Sequence, residues 1–279
     1  MRSAAFAAAI AAAALVVSVG TVPAAGGEPD SCTVPTSLAA LAPSLDHSAD
    51  RVAGQQALTI VAIGSSSTQG AGASQLALSY PSRLEAELKT RLPGLAVRVI
   101  NRGKGGEDVG EEVARLGSDV LAEHPDLVIW QLGTNALLRR DDLVADGELM
   151  QRGIAALKAA GSDVVLMDMQ YAPRVLARPA HLLMQDMIAT AADHGGVPLF
   201  RRFGMMRYWQ EQLGAPKLVG DDGLHLNDAG YGCLAIALAD ALVANWSSQV
   251  KTVQPRPLGE PKEKSAVAVA GRTHAGTEH

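Results

Sequence analysis

The stretch LTIVAIGSSST, Leu58 to Thr68, joins an apolar run to three consecutive serines. The part from Leu58 to Gly64 is almost continuously apolar, which is typical of a strand that is buried on both faces of a sheet. The serines follow directly after Gly64, where a parallel strand would meet its loop. The stretch therefore predicts a central strand with hydroxyl groups at its carboxyl end. These hydroxyls are either an ordinary polar turn or include a nucleophile.

The same alternation of apolar runs and helical patterns continues along the chain. Further strands are predicted at LAVRVIN (95–101), DLVIWQLG (126–133), DVVLMDM (163–169) and VPLFRRF (197–203). Helices are predicted at about 79–92, 109–124, 143–160, 179–195 and 229–246. Apolar strands separated by amphipathic helices indicate an α/β fold, a three-layer αβα sandwich around a parallel sheet.

The two ends of the chain differ in composition from this middle part. Residues 1–25 begin with a positive charge, continue as an Ala-rich apolar run and end in small residues, which predicts a signal peptide and an exported, periplasmic or extracellular protein. An uncleaved membrane anchor is the alternative. We expect an N-terminal extension at 26–57 and one domain at 58–247. Residues 248–279, rich in Pro, Gly and charge, predict a disordered tail.

Charge and cysteine content restrict the possible partners. The formal net charge is −5 and aromatic residues make up 4% of the chain, so a nucleic-acid partner is not expected. The two cysteines, Cys32 and Cys233, would form a disulfide in an exported protein, and two separate buried thiols are the alternative. A zinc site needs more ligands than this pair offers.

Four polar loops fall on one edge of the predicted sheet, because ligand-binding loops follow the carboxyl ends of parallel strands. They read GSSST (64–68), NRGKGGED (101–108), GTN (133–135) and, before the last helix, DDGLHLNDAGY (221–231). Together they offer a serine, glycines, an asparagine and an Asp/His pair. Acyl transfer requires such a set: a nucleophile, a base, a carboxylate that orients the base, and donors for an oxyanion.

These loops, in this order, resemble the SGNH hydrolase superfamily, the GDSL-type esterases and lipases, from about 59 to 240. The matching positions are Gly64, Ser66 and Thr68 in the first block, Gly106 in the second, Gly133 and Asn135 in the third, and Asp222 and His225 in the last. The resemblance implies a flavodoxin-like five-stranded parallel sheet. It also implies Ser66 as nucleophile, His225 as base and Asp222 as its orienting acid. The Ser66 and Gly106 N–H groups and the Asn135 side chain would form the oxyanion hole, with no metal or other cofactor.

Two positions depart from the family pattern. Ser65 stands where the superfamily usually has aspartate, and Ala136 replaces an aspartate that often follows the third block. Neither residue corresponds to the acid of the triad. We therefore expect changes in loop hydrogen bonding, with the catalytic roles retained.

The expected function is hydrolysis of carboxylic esters of small acyl groups, with O-acetyl groups on envelope glycans as one substrate. The alternatives are a lysophospholipase or general esterase, an acyltransferase that uses the same residues, and, in another class, a non-catalytic glycan-binding module. The expected partner is a small-molecule or glycan ester. No nucleic acid and no stable membrane insertion are expected, and the oligomeric state stays open.

Overall fold

The computed structural model describes residues 32–139, 143–214 and 217–250. The predicted signal peptide, 1–25, lies outside the described residues, as does the predicted tail from 251 onward. The last helix, α11, spans Asp228–Val250 and so continues past the predicted domain end at 247.

Five parallel strands form the central sheet. They are β1 (Leu58–Gly64), β2 (Val97–Gly103), β3 (Leu127–Gln131), β4 (Asp163–Met167) and β5 (Leu199–Phe200). Their order is β2-β1-β3-β4-β5, the order of flavodoxin-like folds, which confirms the predicted fold class. In this order β1 and β3 are neighbours in the sheet, although β2 lies between them in the sequence. The loops at the carboxyl ends of β1 and β3 are therefore close together, and ligands of such folds bind between these loops.

Helices cover both faces of this sheet. Besides α11 they are α1 (Thr36–Ala39), α2 (Asp46–Ala53), α3 (Ser66–Gln69), α4 (Tyr80–Arg91), α5 (Val109–Ala114), α6 (Thr134–Arg139), α7 (Leu143–Ala159), α8 (Pro173–Leu176), α9 (His181–Gly195) and α10 (Arg202–Glu211). One layer contains α2, α4 and α11, in which α11 contacts both of the other helices. The other contains α5, α7 and α9. The residues of β1, β3, β4 and β5 are almost all buried, whereas the edge strand β2 is partly exposed, and the core lies on both sides of the sheet.

Two of the predicted elements differ markedly from the sequence-based expectation. The predicted helix at 109–124 is broken, because Arg115 leaves the helical conformation at φ −111° and ψ 8°. A π-helical turn, Leu116–Val120, and a 3₁₀ turn, Leu121–Glu123, follow it. The predicted strand at 197–203 is reduced to β5, because the chain enters α10 at Arg202.

The segment before β1 packs on the domain through α11. Its Leu45 N–H donates to the Asn245 side chain at 3.0 Å, and the same side chain donates to the Leu41 C=O at 2.9 Å. Cys32 is joined to Cys233 by a disulfide, with Cα atoms 4.9 Å apart. The first described residues are therefore attached to α11 both covalently and by a buried amide.

Helix α11 is long and apolar enough to be compared with a membrane-spanning helix. By length and composition, Asp228–Ser248 could cross a membrane, with a mean hydropathy of 1.3, but 72% of that window is buried inside the protein. Burial of this extent is typical of a core helix in a globular domain.

We expect replacement of both cysteines by alanine to lower the free energy of unfolding by about 2–5 kcal/mol. The bond closes a loop of 201 residues, so its loss frees much conformational entropy in the unfolded chain. Urea unfolding of the double variant against the parent protein measures the difference. Addition of reductant should destabilise the parent and leave the variant unchanged; equal sensitivity of both would contradict the assignment.

Candidate active site

The serine turn begins where β1 ends. Gly64 is required there, because a Cβ atom would lie 2.5 Å from Thr68 Oγ1 and 2.9 Å from Gln131 Cβ. The chain then turns sharply into the short helix α3, whose first residue is Ser66. This turn leaves Ser66 partly accessible, while Ser65 and Ser67 are buried.

A buried glutamine at the end of β3 holds this turn. Gln131 Oε1 accepts hydrogen bonds from the Ser65 N–H at 3.1 Å, the Ser65 hydroxyl at 3.3 Å and the Thr68 hydroxyl at 3.2 Å. Gln131 is 1% exposed. The neighbouring strands β1 and β3 are thus linked by side chains immediately below Ser66.

The Asp/His loop approaches the serine from the far end of the chain. Ser66 Oγ lies 2.8 Å from His225 Nε2, within hydrogen-bond distance, and His225 Nδ1 lies 2.5 Å from Asp222 Oδ2. Asp222 Oδ1 also accepts the N–H groups of Leu224 and His225, at 2.9 and 3.0 Å. One carboxylate therefore shapes the loop with one oxygen and contacts the imidazole with the other.

The same hydrogen bonds keep Asp222 ionised. Burial alone would raise its pKa, but the donors at Leu224 and His225 outweigh burial and lower the pKa of Asp222 to about 2. The side chain is 45% exposed, and that of His225 is 19% exposed. The three side chains therefore lie at the surface of the crevice.

The loop that follows α3 fixes the position of His225. Gly72 has φ +90°, and a Cβ atom there would lie 2.9 Å from His225 Cβ and 2.3 Å from the Leu226 carbonyl oxygen. Ser74 donates to Asp228 through both its N–H and its hydroxyl, at 2.8 and 2.6 Å. The nucleophile and base segments are therefore in direct contact beyond the Ser66–His225 hydrogen bond.

The glycine-rich loop after β2 lies beside Ser66. A Cβ atom on Gly105 would be 3.8 Å from Ser66 Cβ. Asn135 Nδ2 donates to the Glu107 carbonyl at 2.8 Å, which brings the Asn135 amide next to Gly106. One Asn135 N–H is used in this contact, and the amide has a second to offer. For the Gly106 N–H, no acceptor is found among the described residues.

Ion pairs and hydrogen bonds of charged side chains hold the glycine-rich loop that follows β2. Arg115 Nε donates to Glu107 Oε2 at 2.6 Å, and the buried Glu107 also contacts Lys104 at 3.0 Å. Arg139 donates to the Gly106 carbonyl and to Asp108, which caps α5. These contacts hold the Gly106 carbonyl and the side chains of Glu107 and Asp108 in place.

All of the site residues predicted from the sequence except the cysteines meet in this crevice. Ser66, Asp222 and His225 form one hydrogen-bonded chain, and Gly106 and Asn135 adjoin it. Over residues 32–139, 143–214 and 217–250, no three His, Cys, Asp or Glu side chains converge as metal ligands would. The arrangement can move a proton from a hydroxyl to an imidazole and offer N–H groups to a developing anion.

Gln131 is a supporting residue that the sequence analysis did not single out. A glutamine at the end of an apolar strand carries no distinctive pattern, and its role depends on strand order. Only when β1 lies beside β3 does its side chain reach the serine turn.

Comparison with known proteins identifies the family of the chain. Residues 31–247 match the non-GDSL lipase-like family. An arylesterase from Vibrio mimicus is 30% identical over 166 residues, which cover 59% of this chain and 78% of the relative.

Solved structures share the fold. A catalytic mutant of Axe2, an acetylxylan esterase from Geobacillus stearothermophilus, is 20% identical with a TM-score of 0.58, covering 66% of this chain and 94% of that one. A two-domain esterase active on acetylated mannans, co-crystallized with mannopentaose, is 24% identical with a TM-score of 0.58. That match covers 81% of this chain and 60% of the two-domain protein. At these identities the similarity concerns the fold.

Proposed function

Because the chain belongs to the non-GDSL lipase-like family, within the SGNH superfamily, and is a carboxylic ester hydrolase, we propose that it cleaves esters of small acyl groups through Ser66, His225 and Asp222. The observation that carries the proposal is the hydrogen-bond chain Ser66 Oγ–His225 Nε2–Asp222, at 2.8 and 2.5 Å. It has the order of contacts that serine hydrolysis needs.

In the first step, His225 Nε2 accepts the hydroxyl proton of Ser66 while Oγ attacks the ester carbonyl carbon. Asp222 holds the imidazole with its proton on Nδ1 and stabilises the imidazolium that forms. The tetrahedral intermediate collapses when His225 returns the proton to the leaving alcohol. Water then repeats the sequence on the acyl-serine, and the free acid departs.

The negative charge of the intermediate would be held by the Ser66 and Gly106 N–H groups and by the free N–H of Asn135. Such donors act strongly because they are already oriented when the charge develops. The Glu107 contact to Asn135 supplies that orientation by fixing the amide plane.

Small acyl groups on a larger alcohol suit this site. Its base and acid are partly exposed at the surface, so a bulky alcohol such as a glycan can approach Ser66 while only the acyl group enters the crevice. The relative is an arylesterase, and the fold neighbours include esterases of acetylated xylan and mannan, which supports O-acetyl groups on glycans as the substrate class.

Export to the periplasm or beyond is part of the same proposal. Disulfides persist in oxidising compartments, and the Cys32–Cys233 bond suits such a location. Fractionation of cells that express the full chain, with N-terminal sequencing of the product, tests it. Recovery in the cytoplasm with an intact N-terminus would contradict export.

We expect a series of p-nitrophenyl esters, from acetyl to octanoyl, to give the highest kcat/KM for acetyl. Acetate should also be released from acetylated xylo- and manno-oligosaccharides, because a shallow site accepts a large alcohol. The Ser66→Ala variant provides the blank. A preference for the longest chains, with no release of acetate, would favour the lysophospholipase or general esterase alternative.

Asn135→Ala should lower kcat by about 10²–10³-fold, which corresponds to about 2.7–4 kcal/mol of transition-state stabilisation. KM should change little, because the ester carbonyl gains its negative charge only after binding. Steady-state kinetics on p-nitrophenyl acetate separate the two constants. If KM rises and kcat stays constant, Asn135 binds substrate and is not an oxyanion donor.

A further inference from the structure

Gln170 lies just beyond β4 and is 1% exposed. Its Oε1 accepts the Thr134 hydroxyl at 2.9 Å and Arg202 Nη2 at 3.0 Å, while its Nε2 donates to the Leu224 carbonyl at 3.2 Å. An arginine can only donate, so the orientation of the amide is fixed by chemistry. All three bonds are buried.

Two of the three partners of Gln170, Thr134 and Leu224, belong to different parts of the active site. Thr134 precedes Asn135, the side-chain oxyanion donor, at the start of α6. Leu224 lies between Asp222 and His225, and its N–H donates to the Asp222 carboxylate. A single side chain therefore connects the oxyanion segment to the base segment, although neither segment is adjacent to it in sequence.

The third partner anchors Gln170 to the sheet. Arg202 is completely buried, and its Nε donates to the Asp168 carbonyl at 2.9 Å. Its Nη1 has no acceptor among the described residues. Burial of a guanidinium is unfavourable, because the group loses its hydration, unless hydrogen bonds within the protein compensate for that loss. Here the guanidinium donates to the Asp168 carbonyl, next to the end of β4, and to the Gln170 side chain. Arg202 therefore fixes the Gln170 amide relative to the central sheet.

We propose that Gln170 is a positioning residue for catalysis, which keeps Asn135 and the Asp222–His225 pair in register with each other. The inference rests on the proposed function of these residues. Without Gln170, each segment retains its own contacts, Asn135 to Glu107 and His225 to Asp222, but their relative placement is free to shift. A shift of about 1 Å between donors and base can lower the rate by about 10²-fold.

The first variant is Gln170→Met, which keeps the length of the side chain and removes both the acceptor and the donor. We expect kcat on p-nitrophenyl acetate to fall about 10- to 100-fold, with KM within about twofold of the parent protein. The second is Thr134→Val, which removes one hydroxyl and keeps the shape. It should lower kcat by a smaller factor, and because its bond goes to Gln170, the double variant should be no slower than Gln170→Met alone.

Gln151→Met is the matched control. Gln151 Nε2 donates to the Ala191 carbonyl at 2.9 Å, so this variant also loses a glutamine hydrogen bond, between α7 and α9 and away from the crevice. It should lower the Tm by less than Gln170→Met does, because only one part-buried bond is lost, and it should leave kcat unchanged. Activities are expressed per folded molecule, with the folded fraction taken from circular dichroism.

Labelling with a fluorophosphonate distinguishes failure of this inference from failure of the proposed function. Absence of label on Ser66 in the parent protein would remove the proposed function and the inference with it. If the parent is labelled but Gln170→Met shows the parental kcat per folded molecule, only the positioning role is overturned. Should Gln170→Met not fold, Thr134→Val decides: reduced kcat with unchanged KM supports the role, and an unchanged kcat overturns it.

Discussion

Replacement of Ser66 by alanine is expected to lower kcat for p-nitrophenyl acetate by about 10⁴- to 10⁶-fold. The variant keeps His225, Asp222 and the oxyanion donors, but it has no Oγ to form the acyl intermediate. Only attack by water, aided by binding and the oxyanion hole, is left. Because Ser66 is partly accessible and small, its loss creates no core cavity, and the Tm should stay close to that of the parent protein.

Ser67→Ala is the matched control within the same run of serines. Ser67 is 2% exposed, and among the described residues its hydroxyl makes no hydrogen bond to His225. This variant should retain most of the kcat and should still be labelled by a fluorophosphonate, whereas Ser66→Ala should not. Equal loss of activity in both variants would point to disruption of the turn. Retention of kcat in Ser66→Ala would remove the nucleophile assignment.

The identity of the residue before the nucleophile is explained by its contact with Gln131. The Ser65 hydroxyl and N–H both donate to Gln131 Oε1. An aspartate at this position, usual in the superfamily, would require the Gln131 amide to present its Nε2 donor instead, which would remove the acceptor for the Ser65 N–H and the Thr68 hydroxyl. Ser65 and Gln131 are thus a matched donor and acceptor, and the departure of Ser65 agrees with membership of a family described as non-GDSL.

The parts of the fold that were predicted well are those governed by local pattern. The bounds of β1 agree residue for residue with the apolar run, because a strand buried on both faces must be apolar throughout. The four loops were also found at the predicted edge, since parallel strands order their carboxyl ends together. By contrast, α10 was not predicted, because its first residue is a buried arginine whose stabilising contacts come from the residues that follow β4.

The supporting residues could not be predicted for a related reason. Gln131 and Gln170 are ordinary glutamines in sequence, and each gains its role from a neighbour that is distant along the chain. Their partners depend on strand order and on the return of the 221–226 loop to the sheet edge. The sequence motifs identify the reacting groups. The residues that orient those groups can be recognised only from the tertiary structure.

Asp222→Asn should lower kcat by about 10⁴-fold while the Asp/His loop keeps its shape. An asparagine Oδ1 can still accept the N–H groups of Leu224 and His225. Its amide, however, would present a donor to His225 Nδ1 and so favour the tautomer with the proton on Nε2. That tautomer cannot accept the Ser66 proton, so the nucleophile is not activated.

The matched control is Asp221→Asn, which removes the same charge one residue earlier, where the exposed carboxylate pairs with Lys217. It should leave kcat within about twofold, because exposed pairs contribute little. A fall of similar size in both variants would indicate a general charge effect.

Stability gives a second, independent measurement on Asp222. Its folded-state pKa of about 2 lies below the ordinary 3.8, so the folded protein binds fewer protons there than the unfolded chain between these values. The resulting stabilisation is complete above about pH 4 and is lost as the pH falls towards 2. The parent protein should therefore lose more unfolding free energy than Asp222→Asn over this window. If both lose the same amount while kcat falls in the variant, the hydrogen bonds to Asp222 serve orientation of the imidazole without stabilising the folded carboxylate.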